Sequence, residues 1–201
     1  MDFDLYSKLN SFAATHDWFE DILRFFAVEA EYLFIGMLAL LFLMRGKWAS
    51  RNARHGVIAA GLAAALALSL AHGISFLWER PRPYIAHPDQ AHLFVPASGD
   101  PSFPSDHATA VFAIGVSLYL RSTRIGVLAL AMAVIVAVSR VAVGVHYPGD
   151  ILAGAAVGTA AAYVLWVPWI RIRLNRVADM LGRVYERVSG SLLGRPSNGS
   201  A

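Results

Sequence analysis

The chain has 201 residues, of which 57% are hydrophobic, and its mean hydropathy is +0.51. Because ordinary soluble domains are roughly 45–50% apolar, this composition favours a membrane protein. The absence of cysteine excludes a disulfide framework and a thiolate metal site, while the net charge of +3 matters mainly through its distribution.

The first 24 residues do not resemble a cleavable signal peptide, because acidic residues outnumber basic ones before any long apolar run. The first apolar run is therefore expected to remain as an anchor. Hydrophobic side chains along the same stretch are compatible with an N-terminal interfacial helix. They are Phe3, Leu5, Leu9, Phe12, Trp18 and Phe19.

Apolar runs of about 20 residues predict the membrane spans, because that length crosses a hydrocarbon core of about 30 Å. A shorter run becomes long enough if its helix begins near Ser105. The predicted fold is an all-α membrane bundle of about five spans, or six helices with the N-terminal one. The spans are expected near residues 25–44, 56–78, 105–120, 125–145 and 151–170.

Small residues crowd the second and fifth spans and permit close helix packing. Gly154 and Gly158 form a GxxxG pair in the fifth span. The pair indicates either packing within the chain or the face of a homodimer.

Basic residues predict the orientation. They concentrate in the loop 45–55, in the turn 121–124 and in the tail after residue 170. Five spans place these three regions on one side, taken as cytoplasmic, and place the polar clusters described below on the extracytoplasmic face.

The tail alternates arginines with apolar residues at helical spacing, which predicts an amphipathic helix on the inner leaflet. Residues 192–201 are expected to be disordered. The predicted organisation is a membrane domain at 1–170 followed by a basic tail at 171–201.

Three polar clusters stand at the edges of the apolar runs. Charged and titratable groups at a membrane edge are costly and usually functional. The clusters are Arg80-Pro81-Arg82-Pro83, Phe103-Pro104-Ser105-Asp106-His107, and the set Arg140, His146 and Asp150.

These residue types suit phosphoryl transfer, which needs cations on the phosphate oxygens, a nucleophile and a proton donor. Arg82 and Arg140 offer forked contacts to phosphate, and Ser105 offers a hydroxyl and a helix N-terminus. Two histidines permit one neutral nucleophile and one protonated acid. Asp150 is placed to hold an imidazole nitrogen or to cap the last span.

Each cluster also has an ordinary interpretation. A lone histidine at a membrane surface is usually interfacial, an Arg-Pro pair is usually a turn, and Pro104-Ser105-Asp106 is also a plausible helix cap. Glu31, inside the first span, is either an interfacial carboxylate or a site residue. The three clusters on one face, in this order, favour a catalytic site.

The clusters resemble the motifs of the type 2 phosphatidic acid phosphatase superfamily, which also contains vanadium haloperoxidases. The third motif, S-R-x5-H-x3-D, is matched in full from Ser139 to Asp150. The second, P-S-G-H, has Asp106 in place of glycine. The first, K-x6-R-P, is matched only at Arg82-Pro83, because Ser75 stands at the lysine position, so Arg80 is the candidate substitute.

The resemblance implies a role for each residue. His146 is expected to be the nucleophile that forms a phosphohistidine, with Asp150 as its partner, and His107 the general acid. Phosphate and substrate ligands are expected among the remaining motif residues. They are Arg80, Arg82, Pro104, Ser105, Asp106 and Arg140.

Small size, the P-S-D-H motif and the R-P-R-P motif are most similar to bacterial undecaprenyl-diphosphate phosphatases of this superfamily, which act in cell-wall synthesis. The resemblance implies a multi-pass inner-membrane enzyme without metal or other cofactor, and a diphosphate suits the additional Arg80. Nucleic acid is not expected as a partner. The alternatives are a broader phosphatase for phosphatidylglycerophosphate or phosphatidic acid, and a membrane transporter or scaffold. A vanadate-dependent peroxidase is disfavoured by the membrane-embedded chain.

Overall fold

A computed structural model describes residues 1–44 and 51–192, and within these ranges the chain is helical with no strand. The predicted all-α bundle is therefore confirmed. Its helices are α1 Asp2–Ala14, α2 Asp17–Leu43, α3 Arg51–Leu77, α4 Pro83–Ala86, α5 Asp106–Tyr119, α6 Thr123–Ala142, α7 Pro148–Trp166 and α8 Pro168–Leu192.

Four of the described helices are long and apolar enough to cross a membrane. The qualifying segments are Trp18–Leu43, Arg51–Leu77, Thr123–Ala142 and Pro148–Trp166. The predicted short span is α5, whose 14 residues rise only about 21 Å at about 1.5 Å per residue. Its predicted start is correct, because Ser105 is the N-cap and accepts a hydrogen bond from the backbone N–H of Ala108.

The short helix α5 lies at the centre of the bundle. It packs most extensively against α7, α3 and α6, and most of its residues from Ala108 to Leu118 are buried. A helix surrounded by longer helices does not face lipid along its length. The centre of the bundle therefore holds the segment that starts at the second polar cluster.

The glycine pair of α7 explains how α5 and α7 approach so closely. A Cβ added at Gly154 would lie 2.6 Å from the Ser105 carbonyl oxygen, and one at Gly158 would lie 2.3 Å from that of Thr109. The pair therefore serves packing within the chain, and no side chain larger than hydrogen fits at either position.

Several helices begin or end a few residues away from the predicted spans. The described part of the third helix begins at Arg51, ahead of the span predicted from residue 56, and charged side chains in its first turns have partners on α8. Arg54 Nη1 lies 2.6 Å from Glu186 Oε1, and His55 Nε2 lies 2.8 Å from Asp179 Oδ1. Residues 45–50 of the predicted basic loop lie outside the described residues.

The sixth and seventh helices are also shifted. α6 ends at Ala142 rather than at residue 145, because Gly144 turns the chain with a φ of +93°. A Cβ there would lie 2.2 Å from the His92 carbonyl oxygen. α7 starts at Pro148 rather than at residue 151, since proline fits the first turn of a helix.

The polar segments gather at two opposite ends of the bundle. One end contains the α5–α6 turn, the start of α3 and α8, and the other contains α1, residues 78–105 and the α6–α7 turn. This grouping is the one that the basic residues predicted.

The first and last helices are the predicted amphipathic ones. Aromatic and aliphatic residues of α1 pack at the end of the bundle that contains the α6–α7 turn, with Tyr6 buried against Tyr147. α8 carries the basic tail and packs against α3. The segment expected to be disordered begins at Leu192, which ends α8, and its other residues lie outside the described ranges.

Candidate active site

A cavity of about 580 Å³ opens where α2, α3, α5 and α6 meet residues 78–105. Five residues from the predicted site line it directly, together with His146 from the α6–α7 turn. Those five are Arg82, Pro104, Asp106, His107 and Arg140. The structure therefore brings all three polar clusters together although they are separated by up to 70 positions.

His146 sits at the buried end of this cavity and is only 2% exposed. Its Nδ1 lies 2.9 Å from the carbonyl oxygen of Ser102, an acceptor that requires the proton to be on Nδ1. The Nε2 atom then carries the lone pair, and it accepts a long hydrogen bond of 3.4 Å from Arg82 Nη1. Burial lowers the pKa of His146 to about 4, against the opposing effect of Asp150, so the imidazole is neutral at neutral pH.

Asp150 is fully buried beside His146 but supports it mainly through other groups. Its Oδ2 lies 3.7 Å from His146 Nδ1, which is longer than a hydrogen bond. The same oxygen accepts from the Ser102 hydroxyl and, at 2.8 Å, from the backbone N–H of Tyr147. Asp150 thus caps α7 and fixes the residue whose carbonyl orients the imidazole.

Arg80 lies behind Asp150 and does not line the cavity. Its guanidinium donates to Asp150 Oδ1 at 2.7 Å and to Asp2 Oδ2 at 2.6 Å, and it stacks 3.9 Å from the Tyr147 ring. Burial opposes the charge of Arg80, but its two carboxylate partners outweigh burial and raise its pKa. The structure therefore places Arg80, the candidate substitute for the missing lysine, against two carboxylates and outside the lining of the cavity.

Arg82 and Arg140 supply the positive charge of the cavity. Arg82 Nε donates to the Asp100 carbonyl oxygen at 2.8 Å, and Arg140 Nη1 donates to the Ala27 carbonyl oxygen at 2.8 Å. The Nε of Arg140 is buried without a hydrogen-bond partner among the described residues. Arg82 Nη1 also donates to the Val145 carbonyl oxygen at 3.3 Å. Both guanidinium groups are thus anchored to backbone oxygens and retain donors for an anion in the cavity.

His107 occupies the first turn of α5, across the cavity from the α6–α7 turn. Its Nε2 lies 3.0 Å from Oε1 of Glu31, which α2 brings to the cavity wall. The side chain of His107 remains 21% exposed and that of Glu31 59% exposed. Glu31, which the sequence left between two interpretations, is thus the carboxylate partner of the second histidine.

The remaining predicted ligands divide into two groups. Pro104 and Asp106 line the cavity, and Asp106 Oδ2 lies 3.4 Å from His72 Nε2. Ser105 is fully buried and is used as the N-cap of α5, so its hydroxyl is not at the cavity wall.

Sequence reasoning missed three residues that organise the site. Ser102 orients His146 through its carbonyl oxygen, Asp2 holds Arg80, and the Asp100 carbonyl holds Arg82. Two of these contacts use backbone oxygens, which any residue type supplies, so no sequence signal identifies them. Asp2 lay in a stretch interpreted only as an interfacial helix.

Metal-ligand residues do not cluster in this region. Across residues 1–44 and 51–192, no group of three or more histidines and carboxylates is arranged to hold a metal ion.

Comparisons with known proteins identify the family of this chain. The PAP2 superfamily model matches residues 56–173. The chain is similar to undecaprenyl-diphosphatase BcrC of Bacillus subtilis, with 26% identity over 98% of each chain. It is also similar to the putative undecaprenyl-diphosphatase YbjG of Escherichia coli, with 29% identity over 83% of each chain.

Among solved structures, the crystal structure of Aquifex aeolicus LpxE superimposes with a TM-score of 0.68. It has 25% identity and covers 81% of this chain and 93% of that one. The family match and the names of these relatives favour a phosphatase over the transporter or scaffold alternative. The chain therefore belongs to the PAP2 superfamily, and it is a multi-pass membrane phosphatase whose substrates are lipid phosphates.

Proposed function

We propose that the protein removes the terminal phosphate of undecaprenyl diphosphate without a metal ion, through a phosphohistidine on His146. The observation that carries this proposal is the fixed tautomer of His146, which leaves Nε2 unprotonated inside a cavity that contains Arg82 and Arg140. A neutral imidazole beside two phosphate-binding cations is suited to nucleophilic attack on phosphorus.

In the first step, His146 Nε2 forms a bond to the terminal phosphorus while the bond from phosphorus to the lipid-side oxygen breaks. Arg82 and Arg140 bind the equatorial oxygens and offset the charge that develops on them. His107 donates its proton to the leaving oxygen. Lipid monophosphate leaves, and the phosphoryl group remains on His146.

In the second step, water attacks the phosphohistidine. Neutral His107 accepts a proton from the water as its oxygen bonds to phosphorus, and the Nε2–P bond breaks. Inorganic phosphate leaves, His146 regains its lone pair, and His107 is again protonated for the next cycle.

Glu31 has a defined part in this cycle. Burial opposes a positive charge on His107, and so do the cationic groups Arg140 and Arg82, which face the same cavity. The Glu31 carboxylate, 3.0 Å from His107 Nε2, offsets them and orients the ring. Glu31 therefore acts as a positioning residue for the acid, in parallel with Ser102 for the nucleophile.

A lipid substrate is supported by an apolar groove that continues from the cavity. The groove has a volume of about 380 Å³ and shares Glu31, His72, Asp106 and His107 with the cavity. Its remaining walls are apolar side chains of α2, α3 and α5. They are Phe34, Ile35, Leu68, Ala110, Val111 and Ile114.

Such a groove would hold the first part of an isoprenoid or acyl chain while the phosphates lie among the arginines. The preference for a diphosphate is supported by the full-length similarity to BcrC, not by Arg80, which contacts carboxylates behind the cavity.

The site is proposed to face the outside of a bacterial inner membrane. Support comes from the basic groups at the opposite end of the bundle, which favour the cytoplasmic side. Accessibility of a cysteine introduced at exposed Gly99 to a membrane-impermeant reagent in intact cells tests this orientation. Labelling only after the membrane is permeabilised would place the site on the cytoplasmic side and contradict the proposed orientation.

The test of the activity is phosphate release by the purified protein in detergent with EDTA present. Undecaprenyl diphosphate and phosphatidic acid are compared, with His146→Ala as the control. The proposal is supported if the wild type prefers the diphosphate and His146→Ala releases no phosphate. Equal turnover of both lipids favours the broader lipid phosphatase, and dependence on added metal contradicts the metal-free mechanism.

A further inference from the structure

A second polar cavity, of about 330 Å³, lies at the end of the bundle opposite the active site. It is formed where the α5–α6 turn meets the α7–α8 junction and the start of α3. Its walls include Arg121, Trp166, Arg171 and Asn175. We refer to it as the Trp166 cavity.

Arg121 is only partly satisfied in this cavity. Its Nη1 donates to Asn175 Oδ1 at 2.5 Å, but its Nε and Nη2 are buried and have no hydrogen-bond partner in the described part of the chain. The guanidinium lies 5.0 Å from the centre of the Trp166 ring. Buried donors without partners are rare in folded proteins and often mark a missing ion or ligand.

A second cation shares the same ring. The guanidinium of Arg171 lies 4.4 Å from the centre of Trp166. Burial and the charge of Arg171 both lower the pKa of Arg121, as expected for two cations without an intervening anion. Placing two arginines together in this way is costly unless an anion joins them.

No carboxylate among the described residues lines the Trp166 cavity. His55, which also lines the cavity, contacts the carboxylate of Asp179, whose oxygens are already bound. Oδ1 accepts from His55 Nε2 and from Arg51 Nε, each at 2.8 Å, and Oδ2 accepts from Arg51 Nη2 at 2.5 Å. Within residues 1–44 and 51–192, the side chains of these two arginines therefore have no carboxylate partner.

We propose that the Trp166 cavity binds a phosphate group, carried by the headgroup of an anionic phospholipid in the leaflet opposite the catalytic site. Arginine forks match phosphate oxygens, and a tryptophan at the end of a span is typical of the headgroup region. Basic pockets between spans bind anionic headgroups in this way. The inference uses no residue of the active site and does not depend on the substrate proposed above.

The test measures the Tm of the purified protein in nanodiscs of phosphatidylcholine, with and without phosphatidylglycerol. We expect phosphatidylglycerol to raise the Tm of the wild type, and Arg171→Gln to lose about half or more of that increase. Arg173→Gln is the matched control. It lies two residues further along α8 over a different ring, Trp169, and removes the same charge.

Arg171→Gln is a suitable test variant because the side chain of Arg171, unlike that of Arg121, makes no hydrogen bond or ion pair with the described residues. The proposed site would be overturned if Arg171→Gln and Arg173→Gln reduced the phosphatidylglycerol-induced rise in Tm equally. It would also be overturned if phosphatidylglycerol did not raise the Tm of the wild type. Inorganic phosphate is then titrated in phosphatidylcholine nanodiscs. A rise in Tm that Arg171→Gln removes supports the anion site with free phosphate as its source, and no rise supports the lipid.

Discussion

The two histidines of the active site differ in how firmly the fold holds them. His146 is almost completely buried, and behind it Ser102, Asp150 and Arg80 form a connected network that reaches α1 at Asp2. His107 faces the cavity and has one carboxylate partner, Glu31, which is itself more than half exposed.

The difference corresponds to what each group is proposed to do. A nucleophile must present one lone pair at a fixed position, which favours burial and a fixed tautomer. An acid that donates and regains a proton in each cycle must exchange it with water, so an exposed edge is an advantage. Variants that affect one histidine and spare the other test this comparison.

The largest effect is expected for His146→Asn, which removes the nucleophile and retains polar character. Activity should fall by about a thousandfold or more on every substrate, because no phosphohistidine can form. Phosphate release and acid-labile labelling by a phosphorus-labelled substrate are the measurements. His16→Asn, outside the cavity, should retain activity, and residual labelling of His146→Asn would refute the assignment.

A smaller and substrate-dependent effect is expected for His107→Asn. Loss of the acid should cost about a hundredfold on a lipid monophosphate, whose alkoxide leaving group needs a proton. A diphosphate leaves as a phosphate anion, a much weaker base, so its cleavage should be less affected. The ratio of kcat values for the two lipids measures this difference, and equal losses would contradict the acid role.

The pH profile distinguishes the buried histidine from an ordinary one. Burial lowers the pKa of His146 to about 4, so its neutral, nucleophilic form is lost only when the pH falls below that value. At pH 5 the enzyme should retain most of its kcat/KM, whereas a histidine of ordinary pKa would lose about thirtyfold. An acid limb centred near pH 6.5 would show that His146 is not desolvated.

Much of this comparison follows from the sequence, but not all of it. Apolar runs and basic loops predict the bundle and its two polar ends, since helix length and charge distribution are local properties. The spacing of Arg140, His146 and Asp150 predicts one wall of the cavity. The position of His107 follows from Ser105 as a helix cap.

The supporting contacts could not be predicted, because they depend on where loops of irregular structure run. His146 binds a carbonyl oxygen 44 positions away, and Arg80 binds Asp2 at a separation of 78 positions. Arg80 and Arg82 are two residues apart in a Pro-rich segment without regular structure. Only the folded loop shows that one faces Asp150 and the other faces the cavity.

That distinction predicts the outcome of Arg80→Gln. The change leaves Asp150 without its cation, which should loosen Ser102 and His146 and reduce kcat by about tenfold. Because Arg80 does not touch phosphate, diphosphate and monophosphate should lose activity equally, with little change in KM. Lys8→Gln, which removes one exposed positive charge from α1, is the control. Selective loss on the diphosphate would restore Arg80 as a ligand.

The smallest effect is expected for Glu31→Gln, which keeps an oxygen near His107 Nε2 and removes only the charge. The acid should then be protonated over a narrower pH range, because Glu31 no longer offsets the repulsion from Arg82 and Arg140. We expect kcat on a lipid monophosphate to fall by about fivefold, with an alkaline limb displaced to lower pH. Glu29→Gln, an exposed carboxylate on the same helix that does not line the cavity, is the matched control. An unchanged pH profile in Glu31→Gln would mean that the 3.0 Å contact only fixes the orientation of the His107 ring, and that the protonation of the acid is set by the bound phosphate alone.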